Sequence, residues 1–339
     1  MNSLIKPLIQ KKKREHDKLF KEVSNSLKPN FSSSTIDAYL EILRNEFSID
    51  MLMEEGYNLL SISGLLTNII HLNFIKAKMK GNIKKDLEDK ITKAEEKLTS
   101  AKDLLFDIHG KIKSYQGFEW LIFAYTYLRD AETSINIIRA REDVDSELFF
   151  NACLVIEMCS VFADFIEVIK NIDEKGKKVG DLKKSMKDFA FTLIQTAEYD
   201  LKTVSPEHVN NPDEEELLAK TVNYFVPVMT KAFEEKDYLT AIDTAQLVIF
   251  NSELIKAAFV QAPQSYVRSL IAQKLMEFNQ LISKTREKGK FDAILPIFYY
   301  EKAAGPLGEP SRMIASANLS MALIGVMEKE LRPSAIFTI

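Results

Sequence analysis

Apolar residues recur at intervals of three and four along most of this chain, and strand-like alternation is hard to find. Stretches such as "AKDLLFDIHGKI" and "LLAKTVNYFVPVM" carry the period of an amphipathic helix. The breaks between them divide the sequence into twelve predicted helices in four groups of three. The first helices run over 3–27, 83–114, 179–203 and 264–288, and the second over 34–55, 118–140, 212–235 and 291–303. The third run over 57–79, 146–171, 238–260 and 310–331. One start is especially legible: in "NNPDEEELL", Asn211 is a cap candidate and Pro212 takes the first helical position. Asp213 to Glu216 then place acids at the positive end of the dipole.

The groups resemble one another. Glu234-Glu235 stands over Glu54-Glu55, and Ile255-Lys256-Ala257 over Ile75-Lys76-Ala77, at one offset of 180 (234 − 54 and 255 − 75). Near the end of three second helices, "YLRDA", "VMTKA" and "YYEKA" place Ala131, Ala232 and Ala303 three residues after a large apolar side chain. A small residue there lets two helices approach closely. The expected fold is all-α, with tandem three-helix units over 1–81, 82–173, 174–262 and 263–332 stacked as an α-solenoid or superhelical array. An apolar tail, 333–339, follows, and its Ile336, Phe337 and Ile339 are expected to dock on the last unit and cap the array.

Gly56 to Ile75 contains no charged side chain and is long enough to cross a membrane. Ser61, Gly64, Asn68 and His71 nevertheless mark a small or polar stripe on one face, which predicts a helix buried between neighbours rather than a span.

Composition adds bounds. With 339 residues, 46% of them apolar, the chain can bury a sizeable core. Its net charge of −4 gives no global attraction to nucleic acid or anionic lipid. Residues 1–30 are the exception, with eight Lys or Arg against three acids (8 − 3 = +5). Lys11, Lys12, Lys13 and Arg14 are therefore the candidates for contact with a phosphate or a partner. Cys153 and Cys159 lie about 240° apart on one predicted helix, which excludes a disulfide while it persists and predicts free core thiols in a reducing compartment. The N-terminus lacks the apolar segment of a secretory signal, so a cytoplasmic location is expected.

Around "YLRDAETSINIIRAREDVDSELFF", Tyr127, Asp130 and Ala131 match a Tyr-x-x-Asp-Ala stretch, and this unit resembles a short archaeal three-helix family of unknown function. Lys231 and Lys302 stand where Asp130 does in two other groups. The hairpins are also similar to those of tetratricopeptide and HEPN proteins, although the period here is near 90 rather than roughly 34. HEPN ribonucleases use an Arg followed four to six residues later by His. None of His16, His71, His109 or His208 is so placed, and that activity is not implied.

Metal sites need convergent ligands, and the sequence holds no His-x-x-x-His, Cys-x-x-Cys or Glu-x-x-His. Glycine-rich phosphate loops are absent too, so no catalytic residue, metal ligand or cofactor is assigned. Glu157 and Asp164 interrupt an apolar helix on one face and, with Arg129 and Asp130, form a candidate polar groove, with Arg129 or Arg139 as candidate basic partners of the acids. These features predict a non-enzymatic helical repeat scaffold that binds a protein partner, a peptide or a helix, with homo-oligomer formation open. The alternative is a nucleic-acid- or ribosome-associated factor using the basic first helix; an enzyme or small-ligand binder centred on Glu157 and Asp164 is the third reading.

Overall fold

Short polar breaks separate the helices of the chain. A computed structural model describes residues 2–27, 33–80, 83–141, 146–258, 264–287, 292–305 and 309–331. In order these form Asn2–Ser26 (α1), Ser33–Glu54 (α2), Asn58–Lys80 (α3), Ile83–His109 (α4), Tyr115–Ala140 (α5) and Ser146–Lys175 (α6). Leu182–Lys202 (α7), Pro212–Lys220 (α8), Val226–Glu234 (α9) and Tyr238–Ala258 (α10) follow, then Gln264–Glu287 (α11), Ile294–Ala304 (α12) and Pro310–Leu331 (α13). Among the described residues no strand forms, so the fold is all-α. Ile336, Phe337 and Ile339 lie outside the described residues.

Helix starts follow local chemistry. At α8, the Asn211 side chain accepts from the Glu214 amide at 3.0 Å while Glu214 Oε2 accepts from the Asn210 amide at 2.7 Å, a reciprocal cap. The sequence predicts one helix over 212–235, but a π-helical turn, Thr221–Phe225, separates α8 from α9. Pro227 supplies the reason: it has no N–H to donate and its ring crowds the carbonyl one turn back, so the backbone widens before it. Asn251 of α10 reaches Thr221 Oγ1 at 3.1 Å across this turn.

The chain divides into two units, one of Met1–Ile112 with Ala124–Asn171, the other of Lys113–Phe123 with Ile172–Ile339. In the first, α3 packs on α1 and α2, burying Leu72 and Ile75 against Val23 and Ile42. By length and composition Asn58–Met79 could cross a membrane, with a mean hydropathy of 1.3. Its stripe packs inside this unit: Ser61 and Asn68 are fully buried, and a Cβ on Gly64 would meet Ile49 of α2 at 2.9 Å. Phe74 meets Phe149 and Phe150 of α6, and Tyr127 of α5 stacks on Phe165. In the second unit α10 packs against α7, α9 and α13, and α13 against α11 and α12. Ala131, Ala232 and Ala303 are all buried within their own units, and Cys153 and Cys159 are free buried thiols pushed up by burial to about 11 and about 12.

The corner between α2 and α3 and that between α9 and α10 are built alike. Glu55 N bonds Met51 O at 2.9 Å, Gly56 N bonds Met53 O at 3.3 Å and Tyr57 N bonds Leu52 O at 2.8 Å. At the same offset of 180 (235 − 55), Glu235 N bonds Lys231 O at 2.9 Å, Lys236 N bonds Phe233 O at 3.1 Å and Asp237 N bonds Ala232 O at 2.9 Å. Both turns need a left-handed residue, with φ of 82° at Gly56 and 65° at Lys236. Glycine adopts this freely, whereas a lysine is strained. Lys236→Gly should therefore stabilise the protein by about 1 kcal/mol and Gly56→Ala destabilise it by a similar amount in urea unfolding. Equal midpoints for both variants and the wild type would refute the shared corner geometry.

Candidate functional site

Three clusters of buried or partly buried ionic groups tie helices together, one in the first unit and two in the second. In the first unit α1 presents Lys12, whose side chain is 1% exposed, with its ammonium 3.0 Å from Glu15 and 3.8 Å from Glu157 of α6. Asn73 of α3 reaches the same Glu157 at 3.5 Å, and Lys11 bonds Asp164, two turns further along α6, at 2.6 Å. Lys13 pairs with Asp17 and Asp50 at 3.4 and 3.1 Å, and Arg14 is exposed. Burial pushes the Glu157 carboxyl above its ordinary value, opposed by the Lys12 ammonium.

The structure thus brings together two sets of residues that the sequence predicts separately. The basic run and the acidic face are partners across α1 and α6, and Lys12 lies in the interior rather than on an accessible basic surface. Arg129 and Arg139, the candidate partners of the acids, instead pair with Asp130 at 2.8 Å and Glu95 at 3.1 Å. His16, fully buried, stacks on Phe20.

The second unit carries a lysine cluster of its own. Lys256 of α10 sits 2.6 Å from Asp200 of α7 and 2.5 Å from Glu253, and 3.0 Å from Thr203 Oγ1. Asn318 of α13 donates to the other Glu253 oxygen. Lys76 of α3 makes the corresponding pair with Glu22 of α1 at 2.5 Å. The two lysines are offset by 180 (256 − 76) and their acids by 178 (200 − 22). An asparagine amide steadies one glutamate in each unit: Asn73 serves Glu157 in the first, and Asn318 serves Glu253 in the second.

Two carboxyls around one ammonium leave an excess negative charge, which favours keeping a proton on one of the carboxyls. Burial and a hydrogen bond with Glu253 push Asp200 up to about 7, against the pull of Lys256, while Glu253 is held below its ordinary value despite its burial. Lys256 is correspondingly raised by its two acids against its own burial.

The third cluster is the cap of α12. Glu119, near the start of α5, accepts from the amides of Asp292 at 3.0 Å, Ala293 at 3.1 Å and Leu295 at 3.3 Å. Trp120 donates its indole N–H to Asp292 at 3.0 Å. Burial and the neighbouring Asp292 raise the Glu119 carboxyl to about 8, against those backbone donors. Ala293 adopts a left-handed φ of 57° to bring these amides to one carboxyl.

No protein-family model, curated protein or solved structure matches the chain. The resemblance of the second group rests on its own residues: Tyr127 and Ala131 are buried in the first unit, and Asp130 pairs with Arg129. Among the described residues no set of three His, Cys, Asp or Glu is arranged to hold a metal. Glu119 had one sequence signal, a single acid inside the apolar run Phe118 to Leu128. The Asp200 cluster had another, the repeated Ile-Lys-Ala.

Because the folded value of Asp200 lies above the ordinary 3.8, its contribution to stability is complete below that value and is lost as pH rises through about 7. Glu119, raised from 4.5 to about 8, loses its contribution over an overlapping interval. The thermal midpoint should fall between about pH 5 and about pH 8.5, less steeply in Asp200→Asn and least in Asp200→Asn with Glu119→Gln. A slope unchanged in both variants would contradict these proton-holding assignments.

Proposed function

We propose that the protein is a non-enzymatic helical repeat scaffold, built of tandem three-helix units stacked as a superhelical array, that binds a segment of another protein. The observation that supports this most is the α2–α3 corner recurring at α9–α10 with the same hydrogen bonds, together with the Glu22–Lys76 and Asp200–Lys256 ties at nearly the same offset. Repeated corners of this kind belong to architectures in which neighbouring units bury one another's faces and leave long outer faces for recognition. Two of the most deeply buried ionic groups, Lys12 and Glu119, both 1% exposed, are engaged with other helices. Apolar side chains remain on outer faces, with Phe106 of α4 87% exposed. A large exposed aromatic ring is a typical anchor for a protein partner. The cytoplasmic location and a peptide or helix as the bound element belong to the same proposal.

The test is capture by the immobilised chain from native lysate treated with nuclease, run beside Phe106→Ser. The reading predicts a protein partner that survives nuclease and is removed or reduced at least about tenfold with Phe106→Ser. Partners that disappear on nuclease treatment, or that bind the variant equally, would contradict it.

A further inference from the structure

Besides those on α1, accessible lysines cluster around the start of α7. Residues 172–188 carry six lysines, 175, 177, 178, 183, 184 and 187, against four acids, and Lys113 lies beside them (7 − 4 = +3). With the whole chain at −4, the remainder carries −7, so this is a local basic island. All seven lysines are exposed. Two of the four acids are engaged with backbone amides: Asp173 accepts from Lys113 N at 3.0 Å and Ser114 N at 2.7 Å, and Asp181 caps α7 through Lys184 N at 2.9 Å. Among the described residues, Lys178 alone of the seven pairs with an acid, Asp173, at 3.5 Å.

The island stands on an ordered corner. Val179 N bonds Lys113 O at 2.9 Å, and Lys177 N bonds the Gln116 side chain at 3.1 Å. A Cβ on Gly176 would lie 2.5 Å from Ser114 Oγ, and one on Gly117 would lie 2.6 Å from the Asp173 carboxylate, so both positions require glycine. Burial alone would raise Asp173, but the Ser114 hydroxyl, the two backbone amides and Lys178 hold it below its ordinary value. The corner therefore stays fastened at neutral pH.

Two exposed aromatic rings continue the stripe along α7. Lys187, Phe191, Gln195 and Tyr199 recur every four residues and are all exposed. Phe191 is packed from one side by Phe233 of α9, with centroids 6.1 Å apart, which fixes its ring while leaving it 49% exposed. Tyr199 is 72% exposed. Ammonium groups beside presented aromatic faces are what single-stranded nucleic acid requires: lysines for the phosphates, rings for the bases. An anionic membrane would use the charge but not need rings spaced along a helix, and the exposed Glu174, Asp188 and Glu198 suit a threaded strand better than a flat anionic plane. We infer that the corner before α7 and the exposed face of α7 form a binding surface for single-stranded nucleic acid, with Lys177, Lys183, Lys184 and Lys187 contacting phosphates and Phe191 and Tyr199 stacking on bases.

The test is fluorescence anisotropy of the full chain with a labelled oligouridine of about 20 nucleotides over a salt series. Lys177, Lys183, Lys184 and Lys187 changed together to Gln should weaken binding at least tenfold and reduce the slope of log K against log salt by about 0.7 for each phosphate no longer neutralised. Phe191→Leu with Tyr199→Ala should weaken binding about fivefold or more with the slope unchanged. Helical circular dichroism should match wild type in both, and the unfolding midpoint should stay unchanged in the lysine variant and fall only by the lost Phe191–Phe233 contact in the other. The inference is overturned by an absence of binding at low salt, by binding that persists in the lysine variant, or by binding abolished instead in Lys11→Gln with Arg14→Gln. Tighter binding to vesicles containing phosphatidylserine than to the oligonucleotide, insensitive to Phe191 and Tyr199, would assign the island to a membrane surface and overturn it equally.

Discussion

A single carboxyl holds the start of one helix to the start of another: Glu119 of α5 gathers the amides of Asp292 and Ala293, just before α12, and of Leu295 in its first turn. A helix N-terminus has four amides with no partner in the helix itself, and burying them unpaired is costly. α12 is mostly buried, and its cap residue Ala293 has no side chain that could accept a hydrogen bond. The acceptor must therefore come from elsewhere, and it comes from a residue at least 173 positions earlier (292 − 119). Around it, Trp120 bonds Asp292 and Phe123 meets Phe298 at 5.0 Å, while Phe118 packs on Phe189 of α7. Ser114 and Gly117 fasten the same end of α5 to Asp173 in the last turn of α6, and Gln116 fastens it to the turn that follows. The first two turns of α5 are thereby built into the second unit, which is why the division between units falls inside that helix.

The same logic, a sheltered charge answered from another helix, recurs at Lys12 with Glu157 and at Lys256 with Asp200. Such ties add little net stability compared with apolar packing, but removing one partner leaves the other charged and dry. A register that separated such a pair would bury one charge alone and is disfavoured for that reason.

Helix positions were legible because period and punctuation agreed. Asn211, Pro212 and the acids after them mark a start that the structure caps as expected. The polar stripe on α3 likewise announced burial, and Gly64 meets Ile49 closely. Pro227 was visible, yet the π turn before it depends on which helix the proline crowds and how the backbone yields, which no periodicity encodes. Among site residues, Lys12 and Glu157 each stood out alone, but a pair separated by 145 positions (157 − 12) is joined only by packing. Glu119 was hidden for the same reason, and the lysines before α7 were hidden by nearby acids whose engagement with backbone amides only the corner reveals.

Amide hydrogen exchange at Asp292, Ala293 and Leu295 in the wild-type chain measures the Glu119 cap most directly. First-turn amides of an uncapped helix exchange almost freely, because nothing in the helix protects them. If Glu119 holds them as described, they will exchange as slowly as the buried middle of α10 and only through global unfolding. Exchange near the rate of unprotected amides would contradict the cap, and with it the account of how the start of α5 is built into the second unit.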